Sequence, residues 1–105
     1  MIEAAGQSSA SREASGDPVC VLVVDDALVI RGLISRMLEA AGGIEVVATA
    51  SDGKRALTLL EKNSVDVVVL DIEMPVMDGL EALPQIVQKY PGIQVVMAST
   101  LTQRN

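Results

Sequence analysis

"VVVLDIEMPVMDG", residues 67–79, decides how this chain is read. A valine-rich run ends abruptly at Asp71, a second acid follows at Glu73, then Pro75, then Asp78-Gly79. Apolar runs without alternation are strands buried on both faces, as in parallel sheets. The strand, read as Val65–Leu70, therefore drives out of a core directly into negative charge. The same pattern stands near the start, where Val19–Val24 (VCVLVV) ends in Asp25-Asp26.

Working outward from these two runs, the intervals fill with helices and further strands. Ile30, Leu33, Ile34, Met37, Leu38 and Ala41 recur at helical spacing, with Arg31, Arg36 and Glu39 between them. Gly42-Gly43 ends that helix, because glycine reaches the left-handed conformation a C-cap favours. Ile44–Ala50 reads as a strand and Ser51-Asp52-Gly53 as a turn or cap. Lys54–Lys62 is a short helix with Ala56, Leu57, Leu59 and Leu60 inward, closed by Asn63-Ser64. Beyond Asp78-Gly79 a further helix turns Leu80, Leu83, Val87 and Tyr90 inward. Pro84 lies inside it and implies a late start or an irregular first turn. After Tyr90-Pro91-Gly92, Ile93–Ala98 is the fourth strand, ended by Ser99-Thr100. The order β-α-β-α-β-α-β predicts an α/β fold, a doubly wound parallel sheet with helices on both faces.

Composition narrows the function. A chain of 105 residues makes one small domain. With one Tyr and no Phe or Trp, its core is aliphatic. Fourteen acids against eight bases argue against nucleic acid and for a divalent cation or a basic protein surface. The absence of histidine excludes a Ser-His-Asp or Cys-His site within these residues. Cys20, the single cysteine, reads as a small buried hydrophobe and forms no internal disulfide, which suits a reduced cytoplasmic setting. Residues 1–17 lack a signal-type apolar stretch and read as a disordered arm. The Val19–Val24 run is too short to span a membrane.

In an open parallel sheet, ligands bind beyond the carboxyl ends of the strands. If the first and third strands are neighbours, Asp25, Asp26 and Asp71 share one crevice. Like charges so close raise one another's pKa, and a hard cation removes the conflict. Oxygen ligands without His or Cys favour Mg²⁺. A carboxylate beside Mg²⁺ is also a phosphoryl acceptor, and Ser99 or Thr100 brings a hydroxyl to the same edge. Taken singly, each has a plainer reading. Asp25-Asp26 can cap the next helix, Asp71 can be a turn residue, Ser99 a strand end, and Asp78-Gly79 turn chemistry. Met74 and Met77 read as loop packing. Delivery from three strands to one edge carries the functional reading.

These residues resemble a known family. "VLVVDD", "VVVLDIEMPVMDGLEAL" and "VVMAST" are similar to the receiver domain of two-component response regulators, over residues 19–105. More narrowly, "DDALVIRGLISRML", "DIEMPVMDGLEALP" and "VVMASTLTQRN" resemble the N-terminal receiver of chemotaxis protein-glutamate methylesterases, the CheB family. The resemblance implies a flavodoxin-like fold of strand order 2-1-3-4, with residues 18–105 as the receiver. It implies Asp71 as phosphoacceptor and Asp26 as direct Mg²⁺ ligand, helped by Asp25. Glu73 would lend its backbone carbonyl to the metal, and Ser99 would be the switch hydroxyl. The phosphoryl group would come from a histidine kinase and regulate a downstream methylesterase domain.

Two departures stand out. Ala27 occupies a position where many relatives have serine. The family's fifth strand and helix, with a lysine that pairs with the phosphoryl group, do not occur within these residues, nor does the esterase. The expectation is therefore a fragment incomplete at its C-terminus, with an open edge at Val95-Val96-Met97 prone to strand exchange or edge pairing. A stand-alone or transcription-factor receiver is the near alternative. A Mg²⁺-dependent aspartyl-phosphate phosphatase fits less well, because it needs Asp-x-Asp where this chain has Asp71-Ile72-Glu73. A dinucleotide-binding domain is weaker still, since no Gly-rich loop follows the first strand.

Overall fold

Val19–Val24 (β1) and Val67–Asp71 (β3) lie side by side at the centre of a four-stranded parallel sheet. A computed structural model describes residues 16–98. Ile44–Ala50 (β2) pairs with the outer side of β1, and Gln94–Ala98 (β4) with the outer side of β3. The order β2-β1-β3-β4 is the one the receiver resemblance implied. Leu28–Ala40 (α1), Gly53–Lys62 (α2) and Gly79–Lys89 (α3) form the crossovers. The arm expected over residues 1–17 falls outside the described residues except for Gly16 and Asp17.

The central strands are buried along nearly their whole length because both sheet faces are covered. Alternation along each strand splits the core in two. Leu22, Val24, Val68 and Leu70 point to the face covered by α2 and α3, where Ala56, Leu60, Ala82 and Ile86 meet them. Val21, Val23, Val67 and Val69 point to the other face, covered by Ile34 and Leu38 of α1. Full burial of a side chain such as Leu22, Leu70 or Ile86 contributes about 2 kcal/mol.

Several expectations need correction. β3 begins at Val67, not Val65, because Asp66 is used differently. Its buried carboxylate accepts the Cys20 N–H at 2.8 Å, while its own N–H donates to the Cys20 carbonyl at 2.8 Å. β4 likewise begins at Gln94, whose N–H bonds the Asp66 carbonyl at 3.0 Å. The inner face of α3 is Gly79, Ala82 and Ile86, flanked by half-buried Leu83 and Tyr90. Leu80 is 62 % exposed and Val87 51 %, contrary to the periodic reading. In α1, Leu33 and Met37 are also exposed, and none of its residues is fully buried.

Pro84 neither delays α3 nor distorts its start. The helix opens at Gly79 with a capping box: Asp78 Oδ1 accepts from the Glu81 N–H, and Glu81 Oε1 accepts from the Asp78 N–H. The Ala82 N–H reaches the Asp78 carbonyl at 3.0 Å, a regular first turn. The bond Pro84 forgoes would have ended on the carbonyl of exposed Leu80, where water can substitute. α2 is capped by Asp52, whose carboxylate accepts the Arg55 N–H at 2.8 Å.

The segment between β3 and α3 contains one strained residue. Val76 has φ +68°, and the Met77 N–H bonds the Pro75 carbonyl across it at 2.7 Å. Positive φ together with an i to i+2 bond marks the rare form of the γ-turn, costly for a β-branched residue. Val76 is 74 % exposed, so no packing compensates. Val76→Gly should therefore stabilise the fold by about 0.5–1 kcal/mol, the relief of strain exceeding the added chain entropy. A shift of the urea midpoint to higher concentration at unchanged slope is the expected readout.

Candidate functional site

The register between β1 and β3 builds the site. Val24 stands opposite Leu70, so the next residues, Asp25 and Asp71, emerge together at the carboxyl edge. Both are buried, at 2 % and 3 % exposure, whereas Asp26 is exposed. One carboxylate oxygen from each of Asp25, Asp26 and Asp71 lies within 4.8 Å of the others. The three acids expected to share a crevice do share it.

Their surroundings hold them in place. The Ala27 N–H donates to Asp25 Oδ1 at 2.9 Å, which orients that carboxylate at the start of α1. α1 has Ala27 as its N-cap residue, without a side-chain cap. Arg31, one turn into α1, donates from Nη1 to the Asp25 carbonyl at 2.8 Å. The loop beyond Asp71 is tied at both ends of its course: the Gly79 N–H donates to the Ile72 carbonyl at 2.9 Å, and the Gly53 N–H to the Met77 carbonyl at 2.8 Å. Both glycines are required by contact. A Cβ on Gly79 would collide with the Asp71 carbonyl, and one on Gly53 would lie 2.8 Å from the Met77 carbonyl.

Burial pushes the Asp25 pKa up, as does the Asp26 charge, against the opposing Ala27 hydrogen bond and the Arg31 charge. Asp71 is raised chiefly by burial and then by the Asp25 charge, with a smaller push from Asp26. The N–H groups of Glu73 and Ile72 pull it the other way. Like charges gathered in a partly dry crevice are what a cation would relieve. The donor set fits a hard divalent ion: three carboxylates, with neither histidine nor cysteine among them.

Glu73 is exposed, and its main chain lies beside Asp71. Ser99 and Thr100 lie outside the described residues. Asp78 is the helix cap that its turn reading allowed. Met77 and Met74 pack against the core under α2 and α3. Helical spacing alone marks Arg31 as a polar position between apolar ones. The available signal was its spacing, one helical turn beyond the N-cap, from which a long side chain reaches back to the strand end.

Residues 21–105 match the response regulator receiver domain. The chain belongs to this family. It is 57 % identical over 91 residues to a protein-glutamate methylesterase/protein-glutamine glutaminase of Azospirillum brasilense, covering 87 % of this chain and 23 % of that protein. Against one from Rhodospirillum rubrum the identity is 52 % over 98 residues, covering 93 % and 25 %. The chain thus spans about a quarter of the length of these curated relatives. Among solved structures, the receiver resembles the response regulator domain of Thermotoga maritima CheB, with TM-score 0.75 and 36 % identity, covering 84 % of this chain and 65 % of that one. It also resembles a chain of the CheX-CheY-BeF3-Mg+2 complex of Borrelia burgdorferi, with TM-score 0.79 and 31 % identity, covering 88 % and 69 %. This is a receiver of CheB type.

The raised carboxyl values make a statement about stability. The folded receiver binds protons on Asp25 and Asp71 more tightly than the unfolded chain, whose carboxylates titrate at about 3.9. Their contribution is most favourable at low pH and is lost as pH rises through the elevated folded values. Asp71→Asn should therefore stabilise the metal-free receiver at pH 7 by on the order of 1 kcal/mol. The gain should shrink toward pH 4. Denaturant titrations of both proteins in chelator, across that range, check the slope.

Proposed function

We propose that this receiver accepts a phosphoryl group on Asp71 from a histidine kinase, with Mg²⁺ held by Asp25, Asp26, Asp71 and the backbone carbonyl of Glu73. The observation that carries this reading is the convergence of three carboxylates within 4.8 Å at one strand edge, two of them buried and with raised pKa. When bound, the cation supplies charge neutralisation for the transferring group.

Each residue then has a task. Asp71 is rooted in the ladder, with Ala98 as its partner on β4, so its carboxylate meets the donor from a rigid base. One Asp71 carboxylate oxygen attacks phosphorus. A P–O bond forms while the P–N bond to the donor imidazole breaks, and its electron pair leaves on a nitrogen that takes up a proton. Asp25, oriented by the Ala27 N–H, and exposed Asp26 would hold the cation together with Asp71. The N–H groups of Ile72 and Glu73 favour the ionised, nucleophilic form of Asp71. The Ser99 hydroxyl is proposed to bond a phosphoryl oxygen and carry the change outward.

The identities of 57 % and 52 % to methylesterases support a downstream esterase as the element being regulated. A cytoplasmic location follows from a kinase donor and a reduced Cys20. Among the described residues no helix is long and apolar enough to cross a membrane. The phosphatase reading has less support because Glu73 stands where that chemistry calls for a second aspartate.

Incubation with Mg²⁺ and a small phosphodonor should add one phosphoryl mass, acid-stable and base-labile, mapping to Asp71. Asp71→Asn should abolish the adduct, and Asp26→Asn should slow its formation by about ten-fold or more. A phosphoryl group found elsewhere, or formed equally fast in chelator, would sink the reading.

β4 is the sheet edge among the described residues and is half-buried throughout. We propose that the 105-residue chain self-associates by edge pairing through β4. Light scattering on a size-exclusion column should show mass rising with concentration, and a constant monomer mass would count against pairing.

A further inference from the structure

The acid crevice has a cationic counterpart around the corner of the sheet. At the outer edge of β2, between α1 and α2, lies a concavity of about 430 Å³. Arg31, Thr49, Ser51, Arg55 and Thr58 line it, with Leu59 as an apolar wall. Fourteen acids outnumber eight bases in the chain, yet this lining holds two arginines and no acid. That lining runs against the acidity of the chain as a whole.

We propose that this concavity binds the phosphate or carboxylate group of a small organic anion. Two arginines line it from different helices, and a guanidinium offers planar, forked donors that match an oxyanion. Arg31 spends Nη1 on the Asp25 carbonyl, which anchors the side chain and leaves further N–H donors of its five for a ligand. Arg55 is 72 % exposed, and its Nε lies 3.8 Å from Asp52, too long for a strong hydrogen bond. The Asp52 carboxylate is already committed to the Arg55 N–H at the start of α2. Ser51 and Thr49 add hydroxyls, while the Thr58 hydroxyl makes a long 3.3 Å bond to the Lys54 carbonyl. The volume exceeds that of a bare oxyanion and suits a small ligand, with Leu59 for its carbon body. The site borders the acid crevice through Arg31 but contains none of its three carboxylates, and the proposal does not depend on phosphoacceptance by Asp71.

Phenylphosphonate, which carries the charge and a ring but transfers no phosphoryl group, is the probe. Titrated into the ¹⁵N-labelled 105-residue chain at low ionic strength, it should saturably shift the amides of Thr49, Ser51, Arg55 and Thr58. Neutral benzyl alcohol should not. Arg55→Gln, at an exposed position where folding is undisturbed, should weaken binding by about five-fold or more. Lys89→Gln, a remote charge removal, should leave it unchanged within about two-fold. Asp71→Asn should bind as well as the parent, which separates this site from the acid crevice. Absence of saturable shifts at these four amides, equal shifts from benzyl alcohol, or undiminished binding by Arg55→Gln would overturn the proposal.

Discussion

The register between β1 and β3 is the constraint on which the rest depends. Parallel pairing that sets Val24 against Leu70 leaves Asp25 and Asp71 side by side as they leave the sheet, both nearly without solvent. A slip of one residue would turn every valine to the wrong face, so the aliphatic core and the acid pair are specified together. The cost is electrostatic. Burial and mutual repulsion act against the ionised forms, and the main-chain N–H groups of Ala27, Ile72 and Glu73 offset only part of that.

Close packing of main chain around the crevice follows from this constraint. Gly79 lies against the Asp71 carbonyl and Gly53 against that of Met77, so α2 and α3 both begin within contact distance of the acid-bearing loop. The loop must turn within a few residues to meet them, and Val76 carries the resulting positive φ. Strain beside a functional crevice is a familiar association, found where the surrounding structure over-determines the backbone. Here the bonds from Gly53 to Met77 and from Gly79 to Ile72 flank the strained turn and hold it.

Strand order, helix count and the acid crevice were legible because they rest on strong, local signals: unbroken valine runs, helical spacing and acids at strand ends. The face of α3 was not. Periodicity identifies an apolar stripe, but here contact between Gly79 and the Asp71 carbonyl sets the rotation, bringing small Ala82 inward and leaving larger Leu80 out. Hydrophobicity cannot report that a glycine must touch a carbonyl. Asp66 was hidden for a similar reason: an acid within a valine run reads as part of a strand, whereas its carboxylate replaces a ladder bond to Cys20. Arg31 was obscured because its partner is a carbonyl, which carries no sequence signature.

The two faces of the sheet are unequally covered, and that asymmetry bears on the site. α2 and α3 bury one face, while α1 alone packs on the other and keeps Leu33 and Met37 exposed. β4 is the edge strand beside β3, half-buried along its length in contrast to fully buried β3, with Val95 and Met97 packed toward α2 and α3 and Val96 and Ala98 toward the other face. Local opening is easiest where buried apolar contact is least. Yet β4 is joined to Asp71 directly, through the pairing of Asp71 with Ala98. β3 is therefore flanked by largely buried β1 on one side and by half-buried β4 on the other. Under the proposed phosphorylation, half-buried β4 is the neighbour with the less apolar contact to resist a change at Asp71.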